Sequence, residues 1–524
     1  MRYANRSAWW VVSLCLLTAC PEDAKPSDPI QERDAGEPEI DDERDGGAAA
    51  EAGTGGKPAR PTTAGSAAPS SKPTPTTPAA MSMGSSGGSN MSPKPNAPAT
   101  MQSQPQAAVA PFFMPTIEPT NTTTPHILRD RQGGTHAVYS RYTGGGAFYA
   151  YCATDSCSPS EWSSVRLETD NVITNSALAL TPQGKPRVLL STLLHVYYAE
   201  CNDNCSQSSQ WTTTLLVDHQ GAQDVTGQAL AIDPQGHPRF VMHTYLAYLG
   251  VGQKPPRTWF AQCDNGCTQP SSWRYDEISQ FILHSSELQY DDTGRAHLLT
   301  GVENPDGKTA GFKQAAYFEC QSGCESTDAW SGLGLVPLFE NKIQEIPVSM
   351  SLALTKKAQP RVVLLARDDT FQRHLMYLEC DDNCVEDNWS VTTLNDSMKL
   401  GPGLDLQLDS QERPRFTLTL EDNIGLYTCN EPQCAADGAT WTLNKVEAAS
   451  EVPPDSIILW WNCTIDVWVL HSPSLALSPN GRAQVAYVAT DLSGGVTVVD
   501  PMKARCDPGK DMTLTRMAAI TSYK

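Results

Sequence analysis

"SALALTPQGKPRVLLS", residues 176–191, is the stretch from which the rest of the chain can be read. Two short runs of apolar and small residues flank Thr181-Pro182-Gln183-Gly184, a group that favours a tight reversal. The pattern predicts two antiparallel strands and a turn. The same plan returns as "QALAIDPQGHPRFVMH" (228–243), "ELQYDDTGRAHLLT" (287–300), "SLALTKKAQPRVVLLA" (351–366), "DLQLDSQERPRFTLTL" (405–420) and "SLALSPNGRAQVAYVA" (474–489). A weaker copy, "HILRDRQGGTHAVYS" (126–140), opens the series of seven.

A second landmark follows each of the first six copies: a short aromatic run, two cysteines and a tryptophan. It reads "FYAYCATDSCSPSEW", "VYYAECNDNCSQSSQW", "WFAQCDNGCTQPSSW", "AYFECQSGCESTDAW", "MYLECDDNCVEDNW" and "LYTCNEPQCAADGATW". A Thr/Val-rich or apolar run comes next, such as "TTTLLVD" (212–218). Each unit therefore predicts four short strands, A to D, in roughly 50 to 70 residues.

Seven such units resemble a β-propeller. The expected fold is all-β: a propeller of seven four-stranded blades, preceded by a disordered tether. A single sandwich of that many strands would exceed one core, and no capping repeats suggest an open solenoid. The resemblance implies that D–A and B–C loops surround one mouth of a central channel, where ligands bind. The A–B turns and cysteine loops would then lie on the opposite face. "APFFMPTIEP" (110–119) either adds an edge strand where the ring closes or covers the seam.

The chain begins "MRYANRSAWWVVSLCLLTAC". Arg2 and Arg6 precede an apolar run from Ala8 to Leu17, which is too short to span a bilayer. Leu17-Thr18-Ala19-Cys20 resembles the lipobox of bacterial lipoproteins. That resemblance implies cleavage after residue 19 and acylation, including palmitate, of Cys20. Residues 1–19 read as the signal, 20–120 as the tether and 121–524 as the propeller. The tether is first acidic, then rich in Ala, Pro, Ser, Thr and Gly, and lacks the apolar content to fold. It would reach roughly 50 to 60 Å as a coil. The expected location is the cell envelope, at the outer membrane or cell surface rather than the inner membrane.

Cysteine usage agrees with export. Of 16 cysteines, Cys15 leaves with the signal and Cys20 carries lipid. Zinc would need two pairs to converge, and redox catalysis would use one pair on a helix. Six repeated pairs in an exported chain read instead as local disulfides: Cys152–Cys157, Cys201–Cys205, Cys263–Cys267, Cys320–Cys324, Cys380–Cys384 and Cys429–Cys434. Cys506 is expected near the C–D position of the last copy and Cys463 in the insertion before it; together they would form a seventh bridge. The six tryptophans are expected to pack over the bridges and seal one blade to the next.

The formal net charge is −21, and only 9 basic against 13 acidic residues lie up to Thr124, so about −17 falls on the repeats. Such a surface repels phosphate backbones, which argues against nucleic acid. Membrane contact is expected through the lipid anchor alone. The head reads as a monomer that binds a protein or a glycan.

No catalytic residue is assigned. Sialidases are also propellers, but no complete S-x-D-x-G-x-x-W repeat occurs. The arginine of the "PR" pair recurs at Arg187, Arg239, Arg361 and Arg415 and reads as structural, with Asp233 and Asp409 as partners across the turn. Asp381, Asp382 and Asp387 offer oxygen ligands for a structural calcium, set against a solvated turn. No other cofactor is expected. Four connections on the expected binding face are long: 243–257, 301–314, 335–350 and 444–473. The last holds Trp460, Trp461 and Trp468, candidate platforms for a sugar or an apolar group, or else the core of the insertion. His284 and His471 share one offset before strand A, and Arg367, Asp368 and Asp369 share a B–C loop; all are candidate ligand contacts. Three roles stay open: a binding or scaffolding head, a glycan-active hydrolase or lyase, and a purely structural surface protein.

Overall fold

The computed structural model describes residues 101–102, 107–117 and most of the chain from 120 to 523. Residues 1–100 lie outside the described residues, as do connections 246–256, 304–312, 336–348, 454–467 and 498–504 and shorter pieces of other loops. The signal, Cys20, most of the tether, Asp369, Trp460, Trp461 and Cys463 therefore fall outside the described residues.

Seven antiparallel sheets follow one another along the chain. Blade 1 covers 122–167, blade 2 175–218, blade 3 224–279, blade 4 282–334, blade 5 349–396 and blade 6 400–448. Blade 7 takes strands A to C from 468–520 and its outer strand from Ala107–Phe113, which pairs antiparallel with Met512–Ile520. Strand A of each blade lies beside strand A of the next, and that of blade 7 lies beside that of blade 1, so the sheets form a closed ring. The N-terminal stretch thus supplies an edge strand to the ring. Met101–Gln102 also pairs, in parallel, with the outer strand of blade 6. Ordered sheet structure begins ahead of residue 121, the boundary expected from composition.

Among the described residues seven apolar clusters stand where single domains usually have one core, each between two neighbouring blades. Strand alternation produces this. In blade 5, Val363 and Leu365 face blade 6, while Val362 and Leu364 face blade 4.

The A–B turns follow directly from sequence. The first turn residue is Asp, Thr or Ser, and its side chain accepts the backbone N–H four residues on. Examples are Asp130 to Gly134 (2.8 Å), Thr181 to Lys185 (3.1 Å) and Ser478 to Arg482 (2.9 Å). The fourth residue adopts positive φ in every blade: Gly133, Gly184, Gly236, Gly294, Ala358, Glu412 and Gly481.

Six disulfides join the expected pairs at the C–D connections of blades 1 to 6. They mark a protein that folds in an oxidising compartment. The residue before the second cysteine is left-handed at Asn204, Gly266, Gly323 and Asn383, which explains the recurring Asn or Gly there. Each following tryptophan donates its indole N–H to the carbonyl of the second cysteine, at 2.8–3.3 Å. In blades 2 to 6 its ring meets an aromatic residue of the preceding blade, as in Tyr149–Trp211 (4.6 Å), Tyr317–Trp389 (5.3 Å) and Tyr377–Trp441 (4.9 Å), and Trp162 of blade 1 packs with Ala476, Ala486 and Met517 of blade 7. The expected seal between blades is present. Among the described residues blade 7 has no such corner, and at its junction with blade 6 Tyr523 packs on the cluster with its ring 5.4 Å from the Arg415 guanidinium.

Cys506 departs from expectation. It lies on a small hairpin, Gly495–Thr497 with Arg505–Asp507, between strands B and C of blade 7. The outer strand of that blade comes from the N-terminal segment, so the blade has no C–D connection to hold it.

Candidate binding face

The recurrent arginines lie on the cysteine-loop face and serve the fold. Arg239 donates to its own Pro238 carbonyl (3.2 Å), to the Cys263 carbonyl (2.7 Å) and to Asp264 (2.6 Å), and pairs with Asp233 at 2.9 Å. Arg187, Arg361 and Arg415 repeat the contact to the cysteine carbonyl. In blades 1 and 4 histidines stand in their place: His136 and His297 each lie between an aspartate (Asp130, Asp291) and a tyrosine hydroxyl (Tyr149, Tyr317).

A shallow cavity of ≈ 250 Å³ opens on this face, lined by Glu379, Asp381, Asp382, Asn388, Ser390 and Gln433. Asp381 is already held by Arg361 at 2.8 Å. Among the described residues no group of three or more His, Cys, Asp or Glu is placed to hold a metal ion. The calcium expectation gains no support from this geometry.

The opposite face receives every B–C and D–A connection. The long ones join Tyr245 to Arg257, Glu303 to Lys313, Gly334 to Ser349, Ala448 to Trp468 and Asp491 to Met512. Four carry the long stretches singled out in the sequence; the fifth, which holds Cys506, was not among them. The shorter connections on this face are tightly built. Gly144, Gly145 and Gly146 all have positive φ, and a β-carbon on Gly145 would lie 2.6 Å from the Thr169 carbonyl. Gly146 N donates to Thr169 Oγ1 (2.7 Å), which docks the B–C loop of blade 1 on the connection to blade 2.

At the blade 5 corner Arg367 and Arg373 are directly opposite across strands B and C. Arg367 and Asp368 are both 8% exposed. Asp368 accepts the Gln372 N–H (2.9 Å) and pairs with His374 Nε2 (3.1 Å). Arg373 donates to the Leu400 carbonyl of blade 6. Burial, and then the Arg367 charge, lowers the Arg373 pKa. Strand alternation sends Arg367 and Arg373 towards blade 6 and His374 the other way. The corner is thus cationic on one side and an Asp–His pair on the other. Arg373 and His374 carry no repeat signature in the sequence, although "RDDTFQRH" (367–374) mirrors its charges about the turn.

The other candidates divide. His471 lies within strand A of blade 7, bonded to Ser472 Oγ (3.0 Å) and Thr490 Oγ1 (2.9 Å). Burial lowers its pKa to about 4, so it stays neutral at physiological pH. His284 pairs with Gly301 in strand A of blade 4. Trp468 is 5% exposed and meets Phe113 at 5.8 Å, so it belongs to the core at the closing strand.

No protein-family model and no curated protein matches the chain. Solved structures similar in chain course include the BP39L lectin from Burkholderia pseudomallei, at 7% identity and TM-score 0.45, covering 75% of this chain and 98% of the lectin. A protein of unknown function from Dyadobacter fermentans matches at 11% identity and TM-score 0.43, covering 80% and 99%. An ulvan lyase of polysaccharide lyase family PL25 matches at 10% identity and TM-score 0.40, covering 61% and 78%.

Proposed function

We propose that the protein is a lipid-anchored envelope lipoprotein whose propeller head binds a protein or glycan ligand through the face that bears the B–C and D–A loops. One observation carries the reading. All five long connections emerge on that face, while the A–B turns and cysteine loops opposite are short, repeated and internally bonded. Long, non-repeating loops on a rigid ring are where recognition is usually built. Cys20 would carry the acyl chains, and residues 21–100 would hold the head away from the lipid. The cationic corner of Arg367 and Arg373 and the tryptophans Trp460 and Trp461 are the proposed contacts.

Two experiments test this. Fatty-acid labelling of the wild type and of Cys20→Ser in a bacterial host should mark only the wild type; equal labelling defeats the anchor. Glycan arrays and envelope-protein capture with the mature head should yield a ligand whose binding falls at least tenfold in Trp460→Ala/Trp461→Ala or Arg373→Ala. A ligand that binds all variants alike removes this face from the proposal. Turnover of a bound glycan would instead favour the enzymatic alternative.

A further inference from the structure

The innermost strand of every blade has one edge that no strand pairs, and its backbone groups need partners. In half of the ring, side chains from the preceding blade supply them. Glu287 of blade 4 accepts Leu352 N (2.7 Å) and Ser351 Oγ (3.1 Å) of blade 5. Ser351 Oγ in turn accepts Leu406 N of blade 6 (3.0 Å). Asp405 of blade 6 accepts Leu475 N (2.7 Å) and Ser474 Oγ (2.8 Å) of blade 7. Ser474 Oγ accepts Ile127 N of blade 1 (3.1 Å). Gln289 and Gln407 add bonds to the Leu352 and Leu475 carbonyls.

Glu287, Ser351, Asp405 and Ser474 occupy equivalent places, one residue before a buried leucine. The remaining blades put His126, Ala177 and Ala229 there. The charged or titratable side chains at this level are therefore Glu287, Asp405 and His126, with no lysine or arginine among the seven. Burial holds His126 at a pKa of about 4, so it brings no positive charge at neutral pH. Burial, with the Asp405 charge adding to it, raises Glu287 to about 8, and burial raises Asp405 to about 6.

We propose that Glu287 and Asp405 form a proton-operated clasp at the centre of the ring. With a proton on the pair, the inner edges of blades 5 and 7 are held. With both ionised, two buried like charges with no cation at this level repel each other, and the seams between blades 4 and 5 and between blades 6 and 7 loosen.

The direction follows from linkage. A carboxyl whose pKa is higher when folded takes up protons on folding, so its contribution is full below the unfolded carboxyl range. That contribution fades as pH rises through about 6 for Asp405 and about 8 for Glu287.

Hydrogen exchange on the mature chain tests the clasp, read at the Leu352 and Leu475 amides and corrected for intrinsic pH dependence. Exchange should speed up by at least about tenfold between pH 5 and pH 8.5 in the wild type. The amide variant Glu287→Gln/Asp405→Asn, which keeps an acceptor oxygen at each place, should show no pH response. Asp382→Asn/Glu386→Gln, on the surface, should respond like the wild type, which separates the clasp from net charge. A wild type without pH response, or an amide variant that responds equally, overturns the proposal. Should the double variant not fold, Glu287→Gln alone must lose most of the response above pH 7 or the clasp is refuted.

Discussion

Arg516 of blade 7 and Glu447 of blade 6 form an ion pair that water does not reach. Arg516 donates to Glu447 at 2.6 and 2.8 Å, and the two side chains are 1% and 3% exposed. The Tyr487 hydroxyl donates to the same carboxylate. The guanidinium also donates to the Pro111 carbonyl (3.2 Å) and lies 4.5 Å from the Phe113 ring centroid. One cation thus joins two blades and the N-terminal strand that closes the ring.

Removing one partner should leave a buried charge alone. Arg516→Met is expected to lower unfolding free energy by about 3–5 kcal/mol, and Arg516→Met/Glu447→Leu to recover most of it. Denaturant titration reads both. A single-variant loss below about 1 kcal/mol would contradict the role assigned to the pair.

Truncation separates tether from ring. A chain starting at residue 101 should keep the melting transition of the chain that starts at residue 20. One starting at Met114 loses the outer strand of blade 7 and should melt well below it, with the Met512–Ile520 amides exchanging faster. Identical melting of the two would show that the strand is dispensable.

Ala358 holds the left-handed turn position that glycine holds in five other blades. Ala358→Gly should stabilise the protein by about 1 kcal/mol, since the β-carbon clash outweighs the added chain entropy. Gly184→Ala should cost a similar amount. Thermal melting checks both, and a loss on Ala358→Gly would refute the strain argument.

Each local bridge closes a loop of four or five residues. Replacing Cys201 and Cys205 with serine should cost about 2 kcal/mol in denaturant. The chain has 14 cysteines beyond Cys20, counting Cys463 and Cys506. Its mass with and without reductant should differ by seven bridges. A difference of six would leave Cys463 and Cys506 as thiols.

The repeating parts of the fold were legible because their causes are local. Asp130 and Thr181 cap turns that end four residues later, and each cysteine meets its partner within five. Trp389 could be placed because its siblings share its context. The closing strand was ambiguous, since Val109 pairs with Ala519 and nothing near residue 109 announces a partner so distant in sequence. The same distance hid Cys506: its place depends on which segment supplies the outer strand. Trp468 and His471 looked like ligand contacts because composition cannot tell a channel mouth from the strand behind it. Nothing in the sequence marks the acidic Glu287 and Asp405, because their partners belong to other blades.

The cysteine pattern also bears on how the chain matures. Twelve cysteines can be joined in roughly ten thousand ways. Here every observed partner is four or five residues away. As the chain is exported, a cysteine meets its proper partner well before the next pair emerges. Correct oxidation is then the fastest route, and scrambled isomers that need a shuffling enzyme are largely avoided. None of these six bridges links one blade to another, so an error in one of them stays within its unit.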